Sequence, residues 1–358
     1  MTDQLPVVAA SIRMVMMIMM SIFWTTVTAA YMVLEYFKFG KSYLEKKEHV
    51  KPHCLEGWTH GFANLKDIRM HYVEMGELGK PLMIFVHGFP EFWYSWRNQM
   101  KHFQSDYQGF LITLSKPTHL NYLHRHRPPR IWRYRQTRRN RELQRDAPYR
   151  RYPSAYRVLG PKESRNCRPR LGAALSWSFA LNFPEYTDKL IIMNCPHPKA
   201  IAQMMKTPQQ LLKSWYVFFF QCPDLPELRM EARDMRFLTS LFRGRRGGLV
   251  NQKNFTDDDL EAWKYTFGGK GAFTPPINFY RHSFRRFRPP TYETSFVIKA
   301  PTLILWGTSD NFLEKKGAEL SVDMCEKATL KFIENCSHWV QQDCPEEVNK
   351  HMAEFLKQ

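Results

Sequence analysis

The chain has 358 residues, 44% hydrophobic and 15% aromatic, which allows one large core and excludes a minimal domain. Its net charge of +18 points first to nucleic acid or an anionic surface, but Leu123 to Arg170 alone holds 15 Arg and one Lys against Glu142, Asp146 and Glu163. That segment supplies +13, the other 310 residues only +5, so basic character spread over the whole molecule is excluded.

In chain order, Arg13 and Glu35 bracket 21 uncharged residues, Met14 to Leu34, a length that crosses a bilayer as one helix. A cleaved signal and a buried helix compete, but the apolar run is long and no clear small-x-small cleavage site follows it. Lys38, Lys41, Lys46, Lys47 and Lys51 follow the run and only Arg13 precedes it, so the larger C-terminal part is expected in the cytosol. The expected location is a single-pass membrane protein of the endoplasmic reticulum, with the bilayer as a partner. "WTHGFANLKDIRMHYVEMG" alternates apolar and polar residues and predicts a hairpin. "PLMIFVHGFPEFWYSW", "KLIIMNCPHP" and "APTLILWGTSDNFL" are apolar runs ending in turns, as buried parallel strands require. Strands alternating with helices predict an α/β fold with a mostly parallel central sheet. From Pro198 to Val297 no buried-strand run occurs, and the aromatic clusters there predict a helical insert. The seven cysteines (Cys54, Cys167, Cys195, Cys222, Cys325, Cys336, Cys344) form no CxxC pair. Free thiols in a reducing compartment are expected, with no metal and no cofactor.

At His87-Gly88-Phe89-Pro90 the sequence resembles the α/β-hydrolase-fold epoxide hydrolases, most closely their membrane-anchored, epoxide hydrolase 4-like group. The motifs run in order: "VHGFPEFWYSW", "ALSWSFALNFPE", "NCPHP", "FFQCPDLPE", "PINFYR", "LWGTSDNFLE" and "SHWVQQDCPEEVN". One of them is weak evidence; seven in register are strong. The resemblance covers about Trp58 to Asp106 and Gly172 to the C-terminus. It implies that an aspartate attacks an epoxide carbon and forms an alkyl-enzyme ester. Tyr216 and Tyr280 match the two cap tyrosines that steady the developing alkoxide. His338 matches the base that activates water, and Asp310 the acid that orients it. The backbone N–H of Phe89 matches an oxyanion-hole donor. The implied partners are a small hydrophobic epoxide and water, with no nucleic acid. Each residue also has an ordinary reading: a core tyrosine, a helix-capping aspartate, a turn histidine.

The nucleophile belongs just before Gly172, where the family has Gly-His-Asp-Trp-Gly and this chain has Arg168-Pro169-Arg170-Leu171-Gly172. Those five residues are what the family motif becomes when each codon takes the last base of one true codon and the first two of the next. His then Asp reads as CGA or TGA, arginine or stop; Asp then Trp reads as leucine; Trp then Gly reads as glycine. The two preceding positions are restricted to Arg, Gly or Trp and then Ser, Pro, Thr or Ala. Arg127 to Thr137, "RPPRIWRYRQT", decodes in the same register to Asp-Leu-Arg-Gly-Tyr-Gly-Asp-Thr-Asp-Lys-Pro, which resembles the family loop before the nucleophile. The sequence reading is therefore a frame error across 108–171, with no nucleophile in the chain as written, because an arginine is always protonated and cannot attack.

Two other readings stay open: a catalytically dead homologue acting by binding, and a haloalkane-dehalogenase-like or other α/β hydrolase. The arginine run as an RNA or anionic-lipid site is weaker still, since no known binding fold surrounds it. The expected organisation is an anchor and linker over 1–50, hydrolase over 51–107, an aberrant segment over 108–171, hydrolase over 172–197, a cap over 198–297 and hydrolase over 298–358.

Overall fold

The computed structural model describes residues 5–64, 69–113, 172–285 and 297–358. The predicted hairpin is present as β1 (Thr59–Asn64) and β2 (Arg69–Met75), antiparallel with Gly61 opposite Tyr72. A Cβ at Gly61 would fall 2.3 Å from the Tyr72 ring, so a larger residue there would require that ring to move. Next come β3 (Leu82–Val86), α2 (Arg97–Phe103) and β4 (Gln108–Thr113). Strand β4 is parallel to β3 and antiparallel to β2, giving a four-stranded sheet in the order β1-β2-β4-β3. The sheet thus runs six residues into the stretch that the sequence reading assigns to the unmatched segment from 108, because "GFLIT" is apolar enough to sit beside β3.

After the undescribed residues, α3 (Gly172–Asn182) leads to β5 (Leu190–Met193). A second sheet, β5-β6-β7, is parallel throughout and contains β6 (Thr302–Gly307) and β7 (Ala328–Ile333). Every residue of β6 is buried, as a parallel strand covered on both faces must be. Helix α3 touches both β3 and β5. Among the described residues those two strands are edges of separate sheets, and Ile84 in the middle of the apolar β3 is 41% exposed.

Among the described residues, six α-helices separate β5 from β6: α4 (Pro198–Met204), α5 (Pro208–Lys213), α6 (Trp215–Phe219), α7 (Leu225–Arg243), α8 (Asp257–Phe267) and α9 (Thr274–Arg285). Helix α8 begins with a capping box in which Thr256 and Asp259 satisfy each other's backbone N–H groups. Trp263, fully buried on α8, donates to the Pro90 carbonyl at 2.8 Å and ties these helices to the turn after β3. The chain closes with α10 (Lys316–Val322), α11 (Val340–Asp343) and α12 (Pro345–Leu356), the last opening with Pro345, Glu346 and Glu347, which suit a helix N-terminus.

The uncharged N-terminal run lies within α1 (Leu5–Phe39), whose only basic residue in the last turn, Lys38, suits the negative end of the helix dipole. It is long and apolar enough to cross a membrane.

Candidate active site

Two loops at the carboxyl ends of β6 and β7 carry Asp310 and His338. Parallel α/β sheets gather functional side chains at that edge. His338 Nδ1 lies 2.8 Å from Asp310 Oδ2, fixing the tautomer with its proton on Nδ1 and its lone pair on Nε2. Asp310 Oδ2 also accepts from Asn194 Nδ2 at 2.9 Å, while Oδ1 accepts from the backbone N–H groups of Phe312 and Leu313 at 2.7 and 3.0 Å. The capping and the imidazole-orienting readings of Asp310 are therefore both satisfied, one by each oxygen. Burial pulls the His338 pKa down; the charge and hydrogen bond of Asp310 outweigh it, Glu91 adds to them, and the net position is above an ordinary imidazole.

The two tyrosines sit across from this pair. The rings of Tyr216, on α6, and Tyr280, on α9, meet edge to face at 5.9 Å. Tyr280 contacts Phe89 at 5.8 Å, Tyr216 contacts Phe312 at 6.3 Å, and Phe312 contacts the His338 ring at 5.1 Å. All five residues singled out in the sequence thus form one continuous cluster. Burial first, then the Asp310 charge, raises the Tyr216 pKa, and burial likewise raises that of Tyr280, so both hydroxyls remain donors at neutral pH. Neither hydroxyl is engaged by another described residue, which leaves both for a ligand. The Tyr280 helix is held by Arg281, which donates to the Phe220 and Cys222 carbonyls and pairs with Glu227 through both guanidinium nitrogens.

Three supporting residues were not identified from the sequence. Asn194, in the "NCPHP" turn, donates to Asp310 and to the Ser337 carbonyl at 3.2 Å and accepts from Gly307 N–H at 2.8 Å, joining the ends of β5, β6 and β7. Glu91, buried in the turn after β3, accepts from Gly88 N–H at 3.2 Å and from Gln341 and Gln342 at 2.7 and 3.1 Å, and burial raises its pKa. Asp343 accepts from Ser337 N–H at 2.6 Å and from the Val250 and Asn251 N–H groups at 3.1 and 2.7 Å. The only sequence signal was that each stands inside a quoted motif.

Cys336, Asp343 and Cys344 bring potential metal-ligand atoms within 4.8 Å of one another. Both oxygens of Asp343 are already taken by N–H donors, so this carboxylate holds the His338 loop in place. His197 accepts from Lys199 N–H at the start of α4 and lies against Trp177, a structural post. The six described cysteines are free thiols. Arg170 and Leu171, at the expected nucleophile position, lie outside the described residues, as does Cys167.

Comparison with known proteins decides the family. The α/β-hydrolase-fold family matches residues 171–344. "Epoxide hydrolase 1" of Caenorhabditis elegans is 40% identical over 319 residues, covering 88% of this chain and 75% of that protein. The chain belongs to the epoxide hydrolase family. "Epoxide hydrolase 2" of the same species is 36% identical over 94% of this chain and 90% of that protein, and "Epoxide hydrolase 4" of Homo sapiens is 35% identical over 87% and 83%. Among solved structures, an epoxide hydrolase of Bacillus megaterium in complex with an inhibitor has the same fold, with a TM-score of 0.62 over 83% of this chain and 100% of that one at 24% identity. As an α/β hydrolase of this family the protein is of hydrolase type, with a parallel sheet and flanking helices as the sequence predicts.

Proposed function

We propose that the site is built to open epoxides to vicinal diols through an alkyl-enzyme ester, and that the chain as written lacks the nucleophile for the first step. One observation carries the reading: an oriented Asp310–His338 pair adjoins two half-buried tyrosines whose hydroxyls have no described protein partner. Tyr216 and Tyr280 donate to the epoxide oxygen as the ring opens, and the Phe89 N–H, also unengaged among the described residues, serves as an oxyanion donor. His338 Nε2 then takes a proton from the water that attacks the ester, and Asp310 stabilises the imidazolium. The tyrosine pair favours an epoxide over a haloalkane, whose departing halide needs no hydroxyl-rich cradle for an alkoxide.

The ester-forming aspartate is absent because residues 108–171, or the part of them after β4, are read out of frame. Two decoded stretches in one register support this, as does the half-exposed apolar β3 edge beside α3, where a family strand bearing the nucleophile belongs. Helix α1 anchors the protein in the endoplasmic reticulum membrane as a single span with the hydrolase in the cytosol, supported by its uncharged length and the lysines that follow it.

The deciding experiment replaces the out-of-frame residues by the frame-corrected segment and follows an epoxide by intact-protein mass spectrometry. The chain as written should give near-background diol. The corrected protein should give diol, and its His338→Gln variant should accumulate an ester on the restored aspartate. A corrected protein with neither diol nor adduct would overturn the epoxide reading; full activity of the chain as written would overturn the frame argument. Protease treatment of intact microsomes tests the orientation, which fails if a C-terminal tag is protected without detergent.

A further inference from the structure

Helix α1 is docked on the insert between β5 and β6. Trp24, near the middle of the uncharged run, meets Trp215 of α6 at 5.9 Å. Further along, Glu35 is held by Arg233 at 3.2 Å and Arg229 at 3.7 Å, and its side chain is only 12% exposed. The same guanidinium groups lie over the rings of Phe39 and Tyr31 at 3.7 and 5.2 Å. The docking point is a break in α7, where Arg233, Asp234 and Met235 all have φ near +55°. Left-handed backbone is unfavourable for residues other than glycine. Here the break turns Arg233 toward α1 and Asp234 toward His49 and Lys264, 2.7 and 3.1 Å away.

Next to the docked helix, Leu212, Trp215 and Leu228 are 60%, 40% and 41% exposed. They stand on α5, α6 and α7, the three consecutive helices around the Trp24 contact. The outward residues of α1 are apolar as well, among them Met19, Ile22 and Phe23. The outward residues of α1 and of the insert approach each other at the Trp24–Trp215 contact, and exposed apolar residues stand on both elements, of the kind that mark a membrane or protein contact.

We propose that this face of the insert rests in the hydrocarbon edge of the bilayer beside α1, so that the helix carrying Tyr216 is separated from lipid only by its own outer residue, Trp215. The proposal rests on the reading of α1 as a membrane helix. Trp24 lies ten residues inside either end of the run, about 15 Å along the helix axis at 1.5 Å per residue. A bilayer that takes up α1 therefore reaches Trp215 as long as the Trp24 contact is kept. Glu35 causes no conflict, since two arginines of α7 cover it. The chemistry of the occupant is acyl chain, because through Trp215 the insert meets a helix that is long and apolar enough to cross a membrane and whose outward residues are apolar.

Site-specific photocrosslinking tests this in the full chain and in the frame-corrected protein, both reconstituted in phosphatidylcholine–phosphatidylserine vesicles. Benzoylphenylalanine replaces Leu212, Leu228 or, as the anchor reference, Phe23; Leu78 and Phe332 are exposed apolar references on the hydrolase unit. Leu212 and Leu228 should form lipid adducts several-fold above Leu78 and Phe332, at yields comparable with Phe23. Adducts at Phe23 with the insert positions at the level of Leu78 would overturn the bilayer-facing insert and leave the anchor standing. No lipid adduct at Phe23 would overturn both. Crosslinks from Leu212 or Leu228 to a second copy of the chain, in place of lipid, would overturn the proposal in favour of a self-interface.

Discussion

The two halves of the site are held together by different physics. The Asp310–His338 half stands on strand ends and is fixed by directional polar contacts: Asp310 accepts four hydrogen bonds, and Asn194 makes three of its own. The Tyr216–Tyr280 half stands on helices and is fixed by ring packing against Phe89, Phe220 and Phe312. Hydrogen-bonded groups buried at low dielectric lose most of their function when one partner goes, whereas packed rings share their contacts among several neighbours. The first half should fail sharply on substitution and the second gradually.

Several measurements can break that contrast. The largest effect is expected between the chain as written and its frame-corrected form, roughly 10⁴-fold or more in diol formation, because the members of a catalytic unit act together. Within the corrected protein, Tyr216→Phe and Tyr280→Phe should each slow ester formation about tenfold or more, and the double variant by about 10²–10³, the range for removing an oxyanion donor. Equal loss in each single variant and in the double would show that the hydroxyls work as one unit and would sink the gradual picture. Asn194→Ala should destabilise the protein by about 1–3 kcal/mol in urea unfolding, since it leaves the Gly307 N–H unpaired. It should change the pH profile as well as the stability; a pure stability loss would reduce Asn194 to scaffolding.

The smallest effect concerns pH. The folded-state pKa of His338 is raised, so its contribution to stability is fully present below the unfolded value, about 6.5, and is lost as pH rises through the higher folded value. His338→Gln should flatten the stability curve in that window. In the corrected protein, ester hydrolysis needs the neutral imidazole and should climb over the same window, and Asp310→Asn should move that limb to lower pH by removing the charge that raises it. A limb unmoved by Asp310→Asn would assign it to another group.

Much of this was legible in the sequence. The hairpin and the strands β3, β5 and β6 announce themselves through alternation or continuous apolar runs, and the absence of such runs marks the helices that follow Pro198. Asp310 and His338 were legible because they stand inside "LWGTSDNFLE" and "SHWVQQDCPEEVN", two of the motifs that carry the family resemblance. Strand β4 was hidden because it lies inside the segment read as unmatched, which begins at the same residue, Gln108. Glu91, Asn194 and Asp343 were hidden for another reason: a polar residue in a turn is ordinary, and the Asp310 that Asn194 serves is 116 positions away. The docking of α1 on the insert was illegible because its run is apolar on every side, so no period distinguishes the face that packs.

Asn194 also acts as a filter on what sequence the position can accept. Its φ of +43° favours Gly, Asn or Asp. Gly would meet the backbone demand and lose all three hydrogen bonds. Asp would bring a second negative charge against Asp310 and could not donate to the Ser337 carbonyl. A serine has one donor and reaches less far. An amide on a short side chain, with its oxygen toward Gly307 and its nitrogen toward Asp310 and Ser337, is the one chemistry that answers every neighbour. Saturation mutagenesis at 194 should therefore return a near-empty set of tolerated residues, narrower than that of either tyrosine, at a buried position.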